Sequence, residues 1–117
     1  MSTAKLAAFK RLISEIANVV QKHTQVDLSV MMYQLDTALS LSPATTINTF
    51  FKDSQPYLKE IYSRDADFFL DMAHSNSHVL DIPIATVWTL LTDHERETIW
   101  TNVEKLIVLA ESISNNN

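Results

Sequence analysis

Four side chains in the second half of the chain have the types and spacing to hold a divalent cation. Asp71, His74, His78 and Asp81 follow one another at intervals of three, four and three. On one continuous helix they would share a face, and imidazole with carboxylate is a usable donor set for zinc and its neighbours. The same stretch also argues against a metal site. Ser75-Asn76-Ser77 falls in its middle, and such side chains compete for the backbone and favour turns over helix. The HExxH arrangement, with its glutamate beside the first histidine, is absent. The expectation is histidines beside a helix end, a mobile loop at 75–77, and no resident metal or other cofactor.

No other catalytic arrangement emerges. The chain has no cysteine, which removes disulfides and thiolate zinc sites. It also has no glycine, where average usage would give about eight. Gly-rich phosphate loops, dinucleotide fingerprints and the nucleophile elbow are therefore missing. Asp65 and Asp67 read as a solvated helix start. A small helical domain seldom leaves core volume for a substrate pocket, so a non-enzyme is expected. A small metal-dependent enzyme ranks third among the functional readings.

The 117 residues allow one domain over 1–117. With 46% hydrophobic and 20% charged residues the composition is that of a globular protein, not a disordered one. No apolar run approaches the roughly 20 residues of a membrane span, and the first residues alternate charge with apolar side chains, unlike a secretory signal. An intracellular setting is expected. A pI near 5.2 is the opposite of the basic footprint of nucleic-acid binders. The charge is nonetheless uneven. Lys5, Lys10, Arg11 and Lys22 face only Glu15 in the first helix, whereas residues 25–117 carry five basic and thirteen acidic side chains. The plain reading is a basic helix held on an acidic body. A regulator that contacts nucleic acid through this helix is the second reading.

The elements that would position any site are helical throughout. A first helix over 3–22 carries Leu6, Phe9, Ile13, Ile16 and Val20 at alternating spacings of three and four. His23-Thr24-Gln25 makes a turn, and a second helix over 26–41 presents Leu28, Met31, Leu35 and Leu39. Ser42 caps a third helix that starts at Pro43 and ends near residue 53. After Asp53-Ser54-Gln55-Pro56 comes a fourth helix with Leu58, Ile61 and Tyr62. A fifth, capped near Asp65, carries Phe68, Phe69 and Met72. A short helix from Pro83 bears Val87, Trp88 and Leu91. The last and longest helix opens with a capping box, Thr92 and Glu95. Its stripe, Ile99, Val103, Leu106, Ala110 and Ile113, is widened by Trp100 and Ile107 until it implies burial on two sides. The predicted architecture is all-α, a compact bundle of five to six helices with the C-terminal helix central and 113–117 frayed.

Asp65-Ala66-Asp67-Phe68-Phe69, then Trp88-x-x-Leu91, Ile99-Trp100 and Leu106-x-x-Leu109 resemble small helical proteins of large double-stranded DNA viruses. The resemblance covers about residues 50–110 and implies a viral setting, in host cell or virion, more than an activity. No functional residue carries over from it.

The reading of best fit is a non-catalytic interaction or structural protein, acting by oligomerisation or through a helical groove for a protein partner. A homodimer is expected because three helices carry full apolar stripes and residues 43–72 add four phenylalanines. Met31, Met32, Tyr33 and Leu35 form the predicted interface, as residue types at home in such seams. For the histidine pair, calorimetric titration with zinc, nickel or manganese should show no stoichiometric binding. A single micromolar site abolished by His78→Ala would reverse that expectation.

Overall fold

A computed structural model describes residues 3–75 and 84–115. Among these residues every regular element is helical. The order is α1 (Thr3–Gln21), α2 (Ser29–Leu41), α3 (Pro43–Ser54), a 3-10 turn (Gln55–Tyr57), α4 (Leu58–Tyr62), α5 (Ala66–Ser75), α6 (Ile84–Leu90) and α7 (Asp93–Asn115). With α4 counted as a one-turn continuation of α3 the bundle has six helices. α7 lies at its centre, packing on α1, α3 and α4. His78, Asp81, Pro83, residues 76 and 77 and residues 116–117 lie outside the described residues, as does the side chain of His74. The expected fraying of 113–117 is corrected over 113–115, where α7 continues to Asn115 because Ile113 is buried in the core.

The core forms where the stripe of α1 meets the C-terminal half of α7. Phe9, Leu12, Leu39, Ile47, Leu106, Ala110 and Ile113 are all buried in one cluster. Ala110, fully buried, brings the helices together where a larger side chain would hold them apart. Buried Asn102 sets the register. Its Nδ2 donates to the Leu12 carbonyl at 3.3 Å and to Glu15 Oε2 at 2.8 Å, so sliding α1 along α7 would strand a buried amide. Lys5 Nζ donates to Ser112 Oγ at 2.7 Å near the far end of the pair. The basic helix also meets acidic partners as its composition suggests. Lys10 Nζ sits 3.2 Å from Asp36 of α2.

Helix ends follow local chemistry, with two departures from expectation. α2 begins at Ser29 instead of residue 26. The Gln21 amide clasps the preceding segment, donating to the Val26 carbonyl at 2.8 Å and accepting from Leu28 N–H at 2.8 Å. Asp27 Oδ1 accepts from Ser29 N–H at 2.9 Å. Such bonds offer the backbone an alternative to helix. Ser42 stands at the predicted cap position but makes no side-chain cap bond. Its backbone N–H instead closes α2 on the Ala38 carbonyl at 2.8 Å, and Pro43 starts α3 with its fixed φ. Asp65 does cap α5, accepting from Phe68 N–H at 3.1 Å.

A left-handed turn joins α4 to α5. Arg64 has φ of 57°, a conformation usually left to glycine. Its N–H bonds the Ile61 carbonyl at 3.1 Å and Asp65 N–H bonds the Glu60 carbonyl at 2.9 Å, which together make a Schellman motif. Arg64 offsets the backbone cost by pairing with Glu97 and, at 3.4 Å, with Glu104, both on α7.

The capping box of α7 is complete and carries a second function. Thr92 N–H donates to Glu95 Oε1 at 2.9 Å, and Glu95 N–H donates to Thr92 Oγ1 at 3.1 Å. His23 Nε2 reaches both Glu95 oxygens, at 3.0 and 3.1 Å, so the end of α1 is tied to the start of α7. The Thr92 backbone N–H first, and the His23 side chain next, hold the Glu95 carboxyl down at about 2, from an ordinary 4.5. A depressed carboxylate contributes stability that is full above its unfolded pKa and is lost as pH falls through the folded one. The thermal midpoint should therefore drop between pH 4.5 and about 2, and Glu95→Gln should flatten part of that slope. An unchanged slope in Glu95→Gln, measured by thermal unfolding across this range, would contradict the assignment.

Candidate functional site

The N-terminal half of α7 is packed differently from its C-terminal half. Ile99, Trp100 and Val103 continue the same stripe, yet they look onto an apolar cavity of about 440 Å³. One wall is α1, with Ile13, Ile16, Ala17 and Val20. The opposite wall is α5 and α6, with Ala66, Phe69, Leu70, Val87, Trp88 and Leu91. Leu28 just before α2, Met31 of α2 and Ile61 of α4 complete the described lining. Every described lining residue is aliphatic, aromatic or methionine.

This corrects the expectation that the domain has no room for a pocket. Periodicity places Ile16, Val20, Ile99 and Trp100 on inward faces, and there they are. What they face, among the described residues, is an apolar pocket that is partly open to solvent, so the lining side chains lack packing partners there that a closed core would supply.

Its aromatic wall is built in a chain. Trp88 and Trp100 meet edge to face with centroids 5.6 Å apart, and Phe69 joins Trp100 at 6.0 Å. Phe68 packs edge-on against Phe69 at 5.2 Å, and Tyr57 closes the row. Trp88 is fixed from behind. Arg96 lies 5.3 Å from its ring centroid and donates from Nε and Nη2 to its carbonyl at 3.1 and 2.8 Å. A cation over an indole face and two charge-assisted hydrogen bonds orient the ring. α5 and α6 otherwise pack chiefly on each other, so these aromatic contacts carry much of their attachment to α7.

The sequence-predicted sites fare unevenly. Asp71 is exposed on α5, while its three companions fall outside the description given above. Among the described residues no three His, Asp or Glu side chains gather as a cation site would need. Of the predicted interface residues, Tyr33 is 73% exposed and Met31 is 41% exposed at the cavity rim. Met32 is half-buried and Leu35 packs in part against the core cluster, and both border a shallow surface pocket with Lys10 and Asp36. Sequence reasoning missed the outward pair Val30 and Leu41, 63% and 79% exposed. Val30, Tyr33, Thr37 and Leu41 share one helical face, opposite Leu28, Leu35 and Leu39. Counting both faces of α2 would have found them.

Comparison of the chain with protein-family models, curated proteins and solved structures gives no match. No described helix is long and apolar enough to cross a membrane.

Trp100→Ala should destabilise the fold by about 2–3 kcal/mol, below the roughly 3–5 kcal/mol of a tightly packed tryptophan, because one side of the ring already borders the cavity. Chemical denaturation measures this. A loss below about 1 kcal/mol would mean that the ring does not join α5 and α6 to α7.

Proposed function

We propose that this is a non-catalytic interaction protein that pairs with a second copy of itself through the outer face of α2. The observation that carries the reading is the character of that face. Val30, Tyr33 and Leu41 stand out into solvent, and the one charged residue of the helix, Asp36, is turned to Lys10. A surface helix serving only solubility would carry outward charge. Depletion of charge around an exposed aromatic and aliphatic group is the pattern of an interface centre. A neutral face also lets two chains of net charge −5 meet without like charges in the seam. The same face on each subunit makes a closed two-fold pairing, the commonest form of oligomer.

A nucleic-acid contact through α1 has less support. Lys10 is engaged with Asp36 and Ser40, Lys5 with Ser112, and Arg11 lies 3.9 Å from Glu15. The viral setting rests on the Asp65–Phe69, Trp88-x-x-Leu91 and Ile99-Trp100 pattern. In this fold Asp65 caps α5, and Phe69, Trp88, Leu91, Ile99 and Trp100 line the cavity, so the pattern speaks for packing more than for a reaction.

Light scattering should give twice the chain mass of 13.3 kDa at micromolar concentration, unchanged between low and high salt. Tyr33→Glu and Leu41→Glu should each give a folded monomer with an unaltered helical circular dichroism spectrum. A mass of one chain across the micromolar range would sink the proposal, and so would a dimer that survives both substitutions.

A further inference from the structure

We propose that the cavity between α1, α5, α6 and α7 binds a single unbranched hydrocarbon chain carried by a free, single-chain amphiphile. Three observations on the cavity converge on this class of guest. The first is size. At about 440 Å³ it is close to three times the ~150 Å³ of an engineered cavity that holds one benzene. That is space for on the order of 12 to 16 carbons. The second is chemistry. Among the described residues the lining offers no carboxylate, amine, amide or hydroxyl side chain. A polar guest would lose its hydrogen bonds to water and gain none, so the polar end of the guest stays outside and only its tail enters. The third is form. Ile13, Ile16, Ala17 and Val20 run along one side of α1, a wall about 10 Å long, and a flexible chain of this volume can follow it by bending where a rigid ring system could not.

The walls also provide a route in. α5 and α6 pack chiefly on each other and meet α7 through the ring contacts of Phe69, Trp88 and Trp100. Arg96 of α7 also holds the Trp88 carbonyl, so the contact of Phe69 with Trp100 is the more yielding of the two. Met31, 41% exposed, stands at the edge. Its unbranched thioether side chain adapts to whatever lies beside it. Two small residues, Ala17 and Ala66, leave space where a larger side chain in either wall would close it.

The two tryptophans of the chain both line the cavity, so intrinsic fluorescence reports occupancy without a label. The full chain is titrated with n-octanol, n-decanol, n-dodecanol and n-tetradecanol, and with dodecanoate. Affinity should rise about fourfold per added methylene until the tail fills the cavity, then level off, with dodecanoate following dodecanol. Ala17→Phe and Ala66→Phe, which intrude a ring into the space, should raise the thermal midpoint while weakening dodecanol binding at least tenfold. A folded variant that binds as wild type does would overturn the proposal. So would an absence of fluorescence change up to the solubility limit, or affinity independent of chain length. If a leucine-rich amphipathic helical peptide binds while the alcohols do not, the site is a groove for protein anchors and the proposal fails. It fails equally if a response needs intact phosphatidylcholine vesicles. Repeating the titration on Tyr33→Glu separates this site from the α2 seam, since binding is expected there too.

Discussion

The fold depends on how the apolar surface of α7 is shared out along its length. Its C-terminal half, Leu106 to Ile113, is taken by α1, α2 and α3 in one buried cluster. Asn102 fixes the register of that contact by giving its amide protons to Leu12 and Glu15. α1 stays tied to α7 to its end, where His23 meets Glu95, and Ile13, Ile16 and Val20 border the cavity before that tie. α5 and α6 reach the N-terminal half of α7 with aromatic rings and through the Arg96–Trp88 bonds. The cavity lies between these two sets of contacts.

A chain without glycine has to end its helices by other means, and the solutions here double as tertiary contacts. Arg64 takes the left-handed position of a Schellman motif and sends its guanidinium to Glu97 and Glu104 on α7. Gln21 ends α1 and holds the segment that delays α2. Glu95 closes the capping box of α7 and receives His23 from the end of α1. Each device joins two elements that hydrophobic burial alone would leave free to rotate. This is why α1 and α7 keep one arrangement although both carry broad stripes.

What was legible in the sequence was local. The Thr92–Glu95 box, the Asp65 cap and the inward stripes of α1 and α7 all follow from spacing over a few residues, and a helix needs only that. The start of α2 was not legible, because Asp27 and Gln21 make bonds that only the folded turn brings within reach. Arg64 was missed for a related reason. Without glycine to mark it, the only hint was a short polar stretch, Ser63-Arg64-Asp65, between two apolar runs. The cavity was hidden more deeply. Periodicity tells which side chains point inward, and Ile16 and Val20 read the same as Phe9. Whether their neighbours meet them is a property of three-dimensional packing. Ala17 and Ala66, small residues opposite large aromatics, were the one available signal. The expected interface on α2 was drawn from residue types, so it combined Met32 and Leu35, which are partly buried, with the exposed Tyr33.

The central claim is that the molecule has a closely packed frame, α1 and α3 on the C-terminal half of α7, and a less firmly attached wall, α5 with α6, on the far side of the cavity. Native-state hydrogen exchange measures the two directly, since protected amides report the opening free energy of the unit to which they belong. The account predicts that amides of α1, α3 and Leu106–Ile113 exchange only through global unfolding, while those of α5 and α6 exchange through a smaller opening with lower free energy. Equal protection across α5, α6 and the frame, all at the global value, would contradict it.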